Sequence, residues 1–175
     1  MFFNNIFNML SKYLHKDSDY ITVTIILPKE VILRTQLICN YISEEEDCYF
    51  DLNSFLLLLY LDFIKDCIEK YDPKKVLQRL TYNYLDKKPL IITNGYEKYQ
   101  LNSTSSYYEY NINFEKTEAS KGELILDELH ELFHCHISFN TLIEQLWVSF
   151  IYRYKTGENK KAFAYLRRIL KENIT

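Results

Sequence analysis

Seven residues near the amino terminus, ITVTIIL at positions 21–27, alternate between two sets of side chains. One set is Ile21, Val23, Ile25 and Leu27, and the other is Thr22, Thr24 and Ile26. A period of two residues predicts a β-strand with one buried face. Pro28 is expected to end the strand, and the pattern of the following residues predicts an amphipathic helix.

A second alternating stretch, YEYNINF at positions 108–114, lies 87 residues after the first, and its Tyr108, Tyr110, Ile112 and Phe114 are expected to join the buried face. The same gapless offset places LNSFLLLLYLDFI at 52–64 over FNTLIEQLWVSFI at 139–151. One register that aligns a strand and two helices predicts an internal duplication. The alternative is that two similar strand-helix segments align by chance.

The predicted elements divide the chain into four segments. Residues 1–18 form an amphipathic helix that covers the core, drives self-association or lies on a membrane surface. Residues 19–84 form a first strand-helix-helix unit with an extra helix. Residues 85–106 are a linker with a small hairpin at Asn94-Gly95. Residues 107–175 form a second unit with a carboxy-terminal helix. The expected fold class is therefore α+β, mostly helical with short strands.

Composition narrows the function. The formal net charge of −3 argues against a protein that coats nucleic acid through bulk charge, and leaves room for a local basic surface. The four cysteines lack paired CxxC spacing, so we expect reduced thiols in an intracellular protein. No apolar run is long enough to cross a bilayer, and no membrane partner is expected.

A short strand followed by two helices resembles the ribbon-helix-helix family of DNA-binding proteins, of the MetJ, Arc and CopG type. The resemblance rests on ITVTIILPKE at 21–30, the helix through Leu37-Ile38, and DLNSFLLLLYLDF at 51–63. In that family the strands of two units pair into an antiparallel ribbon that enters the major groove of DNA. The resemblance implies two tandem units that form an intramolecular pseudo-dimer. Composition and layout also resemble archaeal-virus transcription regulators of the AvtR type, which implies a viral protein acting in its host cell.

The family resemblance implies two sets of DNA contacts. The outer face of the ribbon would contact bases through Thr22, Thr24, Ile26, Glu109, Asn111 and Asn113. Asparagine can bond bidentately to adenine, and threonine or isoleucine methyl groups can touch thymine. The alternative for this face is an ordinary solvent-exposed sheet surface.

The second set would bind phosphates near the starts of helices, where free amides favour an anion. Its members are Lys29, Leu52, Asn53, Ser54, Lys116, Phe139, Asn140 and Thr141. Ordinary helix capping is the alternative. The ribbon departs from the family pattern, because it carries no Arg or Lys, and both Glu109 and Asp51 would repel phosphate. We therefore expect modest, salt-sensitive affinity for double-stranded DNA, compensated by self-association.

A rival motif, HELFH at positions 130–134, resembles the HExxH signature of zincin metalloproteases. It would make His130 and His134 zinc ligands and Glu131 a general base. The motif falls at the end of a predicted helix, and no third ligand follows at a recognisable spacing. We therefore expect a regulator without catalytic residues, cofactor or small-molecule substrate. A protein-binding or inhibitory module and a zinc metallohydrolase are the alternatives.

Overall fold

The computed structural model describes residues 20–82, 90–94, 97–101, 106–157 and 159–172. The predicted helix over 1–18 therefore lies outside the described residues. Within them the chain forms six helices and two antiparallel pairs of strands, so the mostly helical α+β class is confirmed.

The elements follow the predicted order in both halves of the chain. They are β1 (Tyr20–Pro28), α1 (Lys29–Glu45), α2 (Leu52–Glu69), α3 (Pro73–Thr81), β2 (Leu90–Asn94), β3 (Glu97–Leu101), β4 (Tyr107–Glu115), α4 (Lys116–Phe133), α5 (Phe139–Lys155) and α6 (Asn159–Glu172). The 87-residue offset carries both ends of β1 onto the ends of β4, and the starts of α1 and α2 onto those of α4 and α5. Strands β2 and β3 pair with each other, as the predicted hairpin requires, and their turn lies outside the described residues.

Strands β1 and β4 pair antiparallel along their whole length, and this pair is the ribbon of the molecule. Pro28 lies within β1, at its last position opposite Tyr107, where a proline is tolerated because the strand ends there. The sequence prediction that Pro28 stops the strand was therefore one residue short. The fully buried side chains of the inner face are Val23, Ile25, Leu27, Ile112 and Phe114.

Tyr108 is the clear error in the predicted inner face. It was expected in the core, but its side chain is 46% exposed. It lies near the end of the ribbon opposite Leu27, and the Lys29 ammonium lies 5.4 Å from its ring centroid. A tyrosine at such a position can pack its ring and still keep its hydroxyl in water.

Helices α2 and α5 fill the centre of the molecule. Helix α2 is mostly buried from Leu52 to Ile64, because apolar side chains cover almost every side of that stretch. The rings of Tyr60, Phe114 and Phe139 meet edge to face beneath the ribbon, with centroids 5.2 to 5.6 Å apart. Edge-to-face pairs of this kind stabilise a fold by more than the burial of their surface area alone would give. The ribbon is therefore anchored to both central helices.

Two polar contacts connect the halves of the chain in a reciprocal way. The Trp147 indole Nε1–H donates to the Thr35 hydroxyl at 2.6 Å, and the Gly122 amide donates to the Tyr60 hydroxyl at 3.0 Å. Gly122 is the 87-residue counterpart of Thr35, and Trp147 is the counterpart of Tyr60. Each half thus supplies one ring to the corresponding helix position of the other half. Each contact also gives a buried N–H group the acceptor that it requires.

The outer helices pack across the halves as well. Helix α3 packs against α5, and α6 packs against both α2 and α5. Arg167 on α6 also reaches the acidic segment at the end of α1, with its Nε 2.9 Å from Glu46 and its Nη2 3.4 Å from Glu45. Two carboxylates of the acidic run at 44–47 are thus paired with an arginine.

We expect Gly122→Ala to destabilise the fold. An added Cβ would lie 2.8 Å from both the Phe139 ring and the Tyr60 hydroxyl, which is too close for either. Alanine is normally the better helix former by roughly 1 kcal/mol, but overpacking costs about 1–3 kcal/mol. Urea unfolding should show a net loss of about 1–2 kcal/mol relative to wild type.

The neighbouring Glu123→Ala is the matched control, because Glu123 is exposed on the same helix. Its free energy of unfolding should change by less than about 0.5 kcal/mol. A Gly122→Ala variant as stable as wild type would contradict the close packing of α4 on Tyr60 and Phe139.

Candidate nucleic-acid interface

The outer face of the ribbon carries all six residues that the sequence predicts for base contact. The register pairs Thr22 with Asn113, Thr24 with Asn111, and Ile26 with Glu109. Thr24 is half-buried and the other five are exposed, Ile26 at 55%. Because side chains alternate across a strand, these three pairs form one continuous surface.

Hydrogen bonds across the strands orient the asparagines on this face. The Thr22 hydroxyl donates to Asn113 Oδ1 at 2.9 Å, and the Thr24 hydroxyl donates to Asn111 Oδ1 at 2.7 Å. Each amide oxygen keeps a second lone pair, and each Nδ2 keeps its two N–H groups. Both asparagines are therefore held in place with donors and an acceptor still directed away from their threonine partners.

The two ends of the outer face differ chemically. Beyond Thr22 and Asn113, Tyr20 is opposite Glu115, and beyond Thr24 and Asn111, Ile26 is opposite Glu109. The sequence prediction named Glu109 as an unfavourable charge and did not include Glu115. The face is therefore polar and neutral in the middle, with a carboxylate near each end. An anion approaching it meets repulsion at both ends.

Lysines begin the helices that follow the two strands. Lys29 is the first residue of α1 and Lys116 is the first residue of α4, and both are exposed. The Lys29 amide also donates to the Ser106 carbonyl at 2.8 Å, which extends the ribbon by one bond. Each lysine thus lies immediately after one strand of the ribbon, and the two lysines are at opposite ends of it.

The starts of α2 and α5 are capped by side chains from the chain itself. Asp51 Oδ1 accepts from the Ser54 amide at 2.8 Å, and the Ser138 hydroxyl accepts from the Thr141 amide at 3.1 Å. Asp51 is therefore the N-cap of α2. The Ser54 hydroxyl also donates to Asp51 at 2.8 Å, so it takes part in capping. Of the predicted phosphate set, Ser54 and Thr141 fit the capping alternative.

The first two amides of each of these helices lack an acceptor within the helix. They belong to Leu52 and Asn53 in α2, and to Phe139 and Asn140 in α5. The side chains of Leu52 and Phe139 are buried, so these residues can contribute backbone amides to an anion but no side-chain contact. The formal charge of Asp51 partly offsets the positive end of α2.

Asn53 and Asn140 tie the two helix starts to the ribbon. Asn53 Oδ1 accepts from the Tyr110 hydroxyl at 2.9 Å, and Asn140 Nδ2 donates to the Thr24 carbonyl at 2.8 Å. Burial, with Asp51 nearby, raises the pKa of Tyr110 to about 12, so its phenol stays protonated and donates. These two asparagines, predicted from the sequence as phosphate contacts, position the helix starts against the ribbon.

The HELFH motif does not form the helical pair that zincins use. Helix α4 ends at Phe133, and His134 has a left-handed backbone with a φ of 54°. Its amide donates to the His130 carbonyl at 2.8 Å. The rings of His130 and His136 meet edge to face, with their centroids 6.0 Å apart. Among the described residues there is no group of three His, Cys, Asp or Glu side chains placed to hold a metal.

Comparison of the chain with protein-family models, with curated proteins and with solved structures gave no match. In the part of the chain that the structure describes, no helix is long and apolar enough to cross a membrane.

Zinc should not stabilise this protein through the two histidines of HELFH. Because His134 lies beyond the helix in a left-handed conformation, His130 and His134 do not form an i, i+4 pair on one helix face. An equimolar amount of zinc should therefore leave the thermal unfolding midpoint unchanged, both in wild type and in a His130→Ala variant. A zinc-dependent rise in wild type that His130→Ala and His134→Ala each abolish would establish a metal site at this motif.

Proposed function

We propose that this chain is a sequence-specific DNA-binding transcription regulator whose ribbon enters the major groove. The observation that carries the proposal is the outer face of the ribbon. Its middle exposes threonine and asparagine side chains that are oriented by cross-strand hydrogen bonds, while its inner face is closed by the core. Short amide and hydroxyl groups on a two-stranded ribbon suit the edges of bases, and the major groove is wide enough to admit such a ribbon.

The proposal includes a tandem ribbon-helix-helix pseudo-dimer formed by one chain. Three observations support it: the two strands of the ribbon come from different halves, element starts recur with one offset, and polar contacts between the halves are reciprocal. The Thr35–Trp147 and Gly122–Tyr60 bonds are related by the same 87-residue shift. A twofold-related pair of subunits would make such contacts twice with identical residues. Here one chain makes them with different residues, so the proposed pseudo-dimer has no strict symmetry.

The proposed recognition is asymmetric, because the two strands present different groups. β1 offers Thr22, Thr24 and Ile26, whereas β4 offers Asn113, Asn111 and Glu109. An asparagine amide suits adenine, the Ile26 methyls suit a thymine methyl, and a glutamate can accept from the amino group of cytosine. A binding site without palindromic symmetry follows from this arrangement.

Backbone amides at the starts of α2 and α5, with Lys29 and Lys116, would supply the phosphate contacts. Few positive charges are involved, and Asp51, Glu109 and Glu115 oppose the DNA backbone. Affinity per molecule should therefore be modest and should fall with added salt. Self-association on DNA would compensate, because neighbouring molecules that contact each other bind cooperatively.

The joint substitution of Asn111 and Asn113 by alanine tests the base contacts. Both side chains are exposed, so folding should be intact, whereas discrimination between the preferred site and unrelated DNA should fall by roughly 1–3 kcal/mol. Competition binding with both duplexes at fixed salt measures this difference. Asn40→Ala, at an exposed position on α1, is the control and should leave discrimination unchanged. Unaltered discrimination in the double variant would contradict the proposed role of the ribbon.

A protein-binding module is the second candidate, and a different surface favours it. Leu33, Leu37 and Tyr41 are 47%, 67% and 44% exposed and form one stripe along α1. A contiguous exposed apolar stripe is a common feature of protein interaction sites. A chain that binds no DNA sequence preferentially, but holds a protein partner that Leu37→Glu releases, would favour this candidate over the regulator.

A further inference from the structure

Three arginines from three helices lie near Tyr165, whose hydroxyl is bonded to a buried carboxylate, on a surface outside the proposed DNA interface. Arg79 lies on α3, Arg153 on α5 and Arg168 on α6. Between them are Tyr165 on α6 and Asp62, a buried residue of α2. We call these five residues the arginine cluster.

Tyr165 is the centre of the cluster. The guanidinium carbon of Arg168 lies 5.7 Å from its ring centroid, and that of Arg153 lies 5.9 Å away. The Tyr165 hydroxyl donates to Asp62 Oδ2. Burial and the bond to Asp62 raise the pKa of Tyr165, while the charges of Arg79 and Arg153 oppose this rise. The guanidinium carbon of Arg79 lies 5.8 Å from the ring centroid of Phe63, the residue that follows Asp62 on α2.

The carboxylate of Asp62 is already engaged. One oxygen accepts from Tyr165, and the other lies 3.8 Å from Arg168 Nη2. In the part of the chain that the structure describes, neither Arg79 nor Arg153 is within ion-pair distance of a carboxylate. Arg79 and Arg153 therefore contribute two positive charges that no described carboxylate pairs, in a protein whose overall formal charge is −3.

The arginine cluster is separated from the ribbon by a row of aromatic rings. From the ribbon the row runs through Tyr110, Trp147, Phe55, Phe150 and Tyr165, with successive ring centroids 5.5, 6.4, 5.1 and 6.3 Å apart. Four packed ring contacts place the central helices between the two surfaces. A ligand on the arginine cluster would therefore not compete for space with a duplex on the ribbon.

We propose that the arginine cluster is a binding site for phosphate groups. Guanidinium groups are planar, permanently charged and suited to bidentate bonds with phosphate oxygens. Aromatic faces hold two of them in place, which lowers the conformational entropy lost when an anion binds. The phosphate belongs either to a free phosphorylated molecule or to the backbone of a second nucleic-acid segment. The site is independent of the ribbon and does not rest on the function proposed for it.

Pyrophosphate binding to the whole chain, measured by isothermal titration calorimetry at constant ionic strength, tests the proposal. The variant is Arg79→Gln with Arg153→Gln, which removes the two arginines without a carboxylate partner and keeps the Arg168–Asp62 contact. Arg34→Gln is the matched control, because Arg34 also lies over a tyrosine, 6.0 Å from the Tyr154 centroid. Wild type and control should bind equally, and the double variant should bind at least about tenfold more weakly.

Two further titrations distinguish the two sources of the phosphate. They also separate a failure of this proposal from a failure of the DNA contacts proposed for the ribbon. Both use a duplex of unrelated sequence and the full chain carrying Asn111→Ala and Asn113→Ala, with and without the two arginine substitutions. If the affinity for the duplex depends less on salt in the arginine variant, the phosphate belongs to the nucleic-acid backbone. If that salt dependence is unchanged, the phosphate belongs to a free phosphorylated molecule. Pyrophosphate binding that is equal in wild type, control and double variant, or absent from wild type, would overturn the proposal.

Discussion

The pairing of β1 with β4 is the contact on which the rest of the structure depends. A two-stranded ribbon is marginal in water unless helices cover one face. Here its strands come from different halves of the chain, and α2 and α5 supply the covering rings beneath it. Strand β1 has its pairing partner, β4, in the other half of the chain, and each half donates one ring to the other. Neither half can therefore complete its core alone. This long sequence separation between partners is also the entropic cost of the fold.

Much of this architecture could be predicted, because alternation and offset are properties of the sequence itself. The strand at 21–27, its copy at 108–114 and the helices that follow appear where the pattern places them. The predicted ends of two elements were less accurate. Pro28 is tolerated as the last residue of β1, and α4 ends one residue before the second histidine of HELFH. The Thr35–Trp147 and Tyr60–Gly122 contacts were missed, although the offset already pairs Thr35 with Gly122 and Tyr60 with Trp147.

The candidate DNA interface also has features that the sequence predicts and features that it does not. The six outer-face residues follow from the two-residue period once antiparallel pairing is assumed, so their common surface could be predicted. Their hydrogen bonds could not, since the register that brings Thr24 to Asn111 depends on tertiary packing. Asn53 and Asn140 matched in sequence, yet they bind Tyr110 and the Thr24 backbone. The arginine cluster draws on four helices, and no local spacing brings Arg79, Arg153 and Arg168 together in the sequence.

The proposed function of the ribbon depends on one property, the preference of the folded chain for particular base pairs. Selection of duplex DNA from a random library by the purified protein, at low and moderate salt and with and without a chelator, measures that preference directly. The proposed function predicts one enriched site that lacks palindromic symmetry, is bound more weakly at the higher salt and is bound equally with and without the chelator. Absence of enrichment at low salt would contradict it and would favour a protein partner for the exposed stripe on α1.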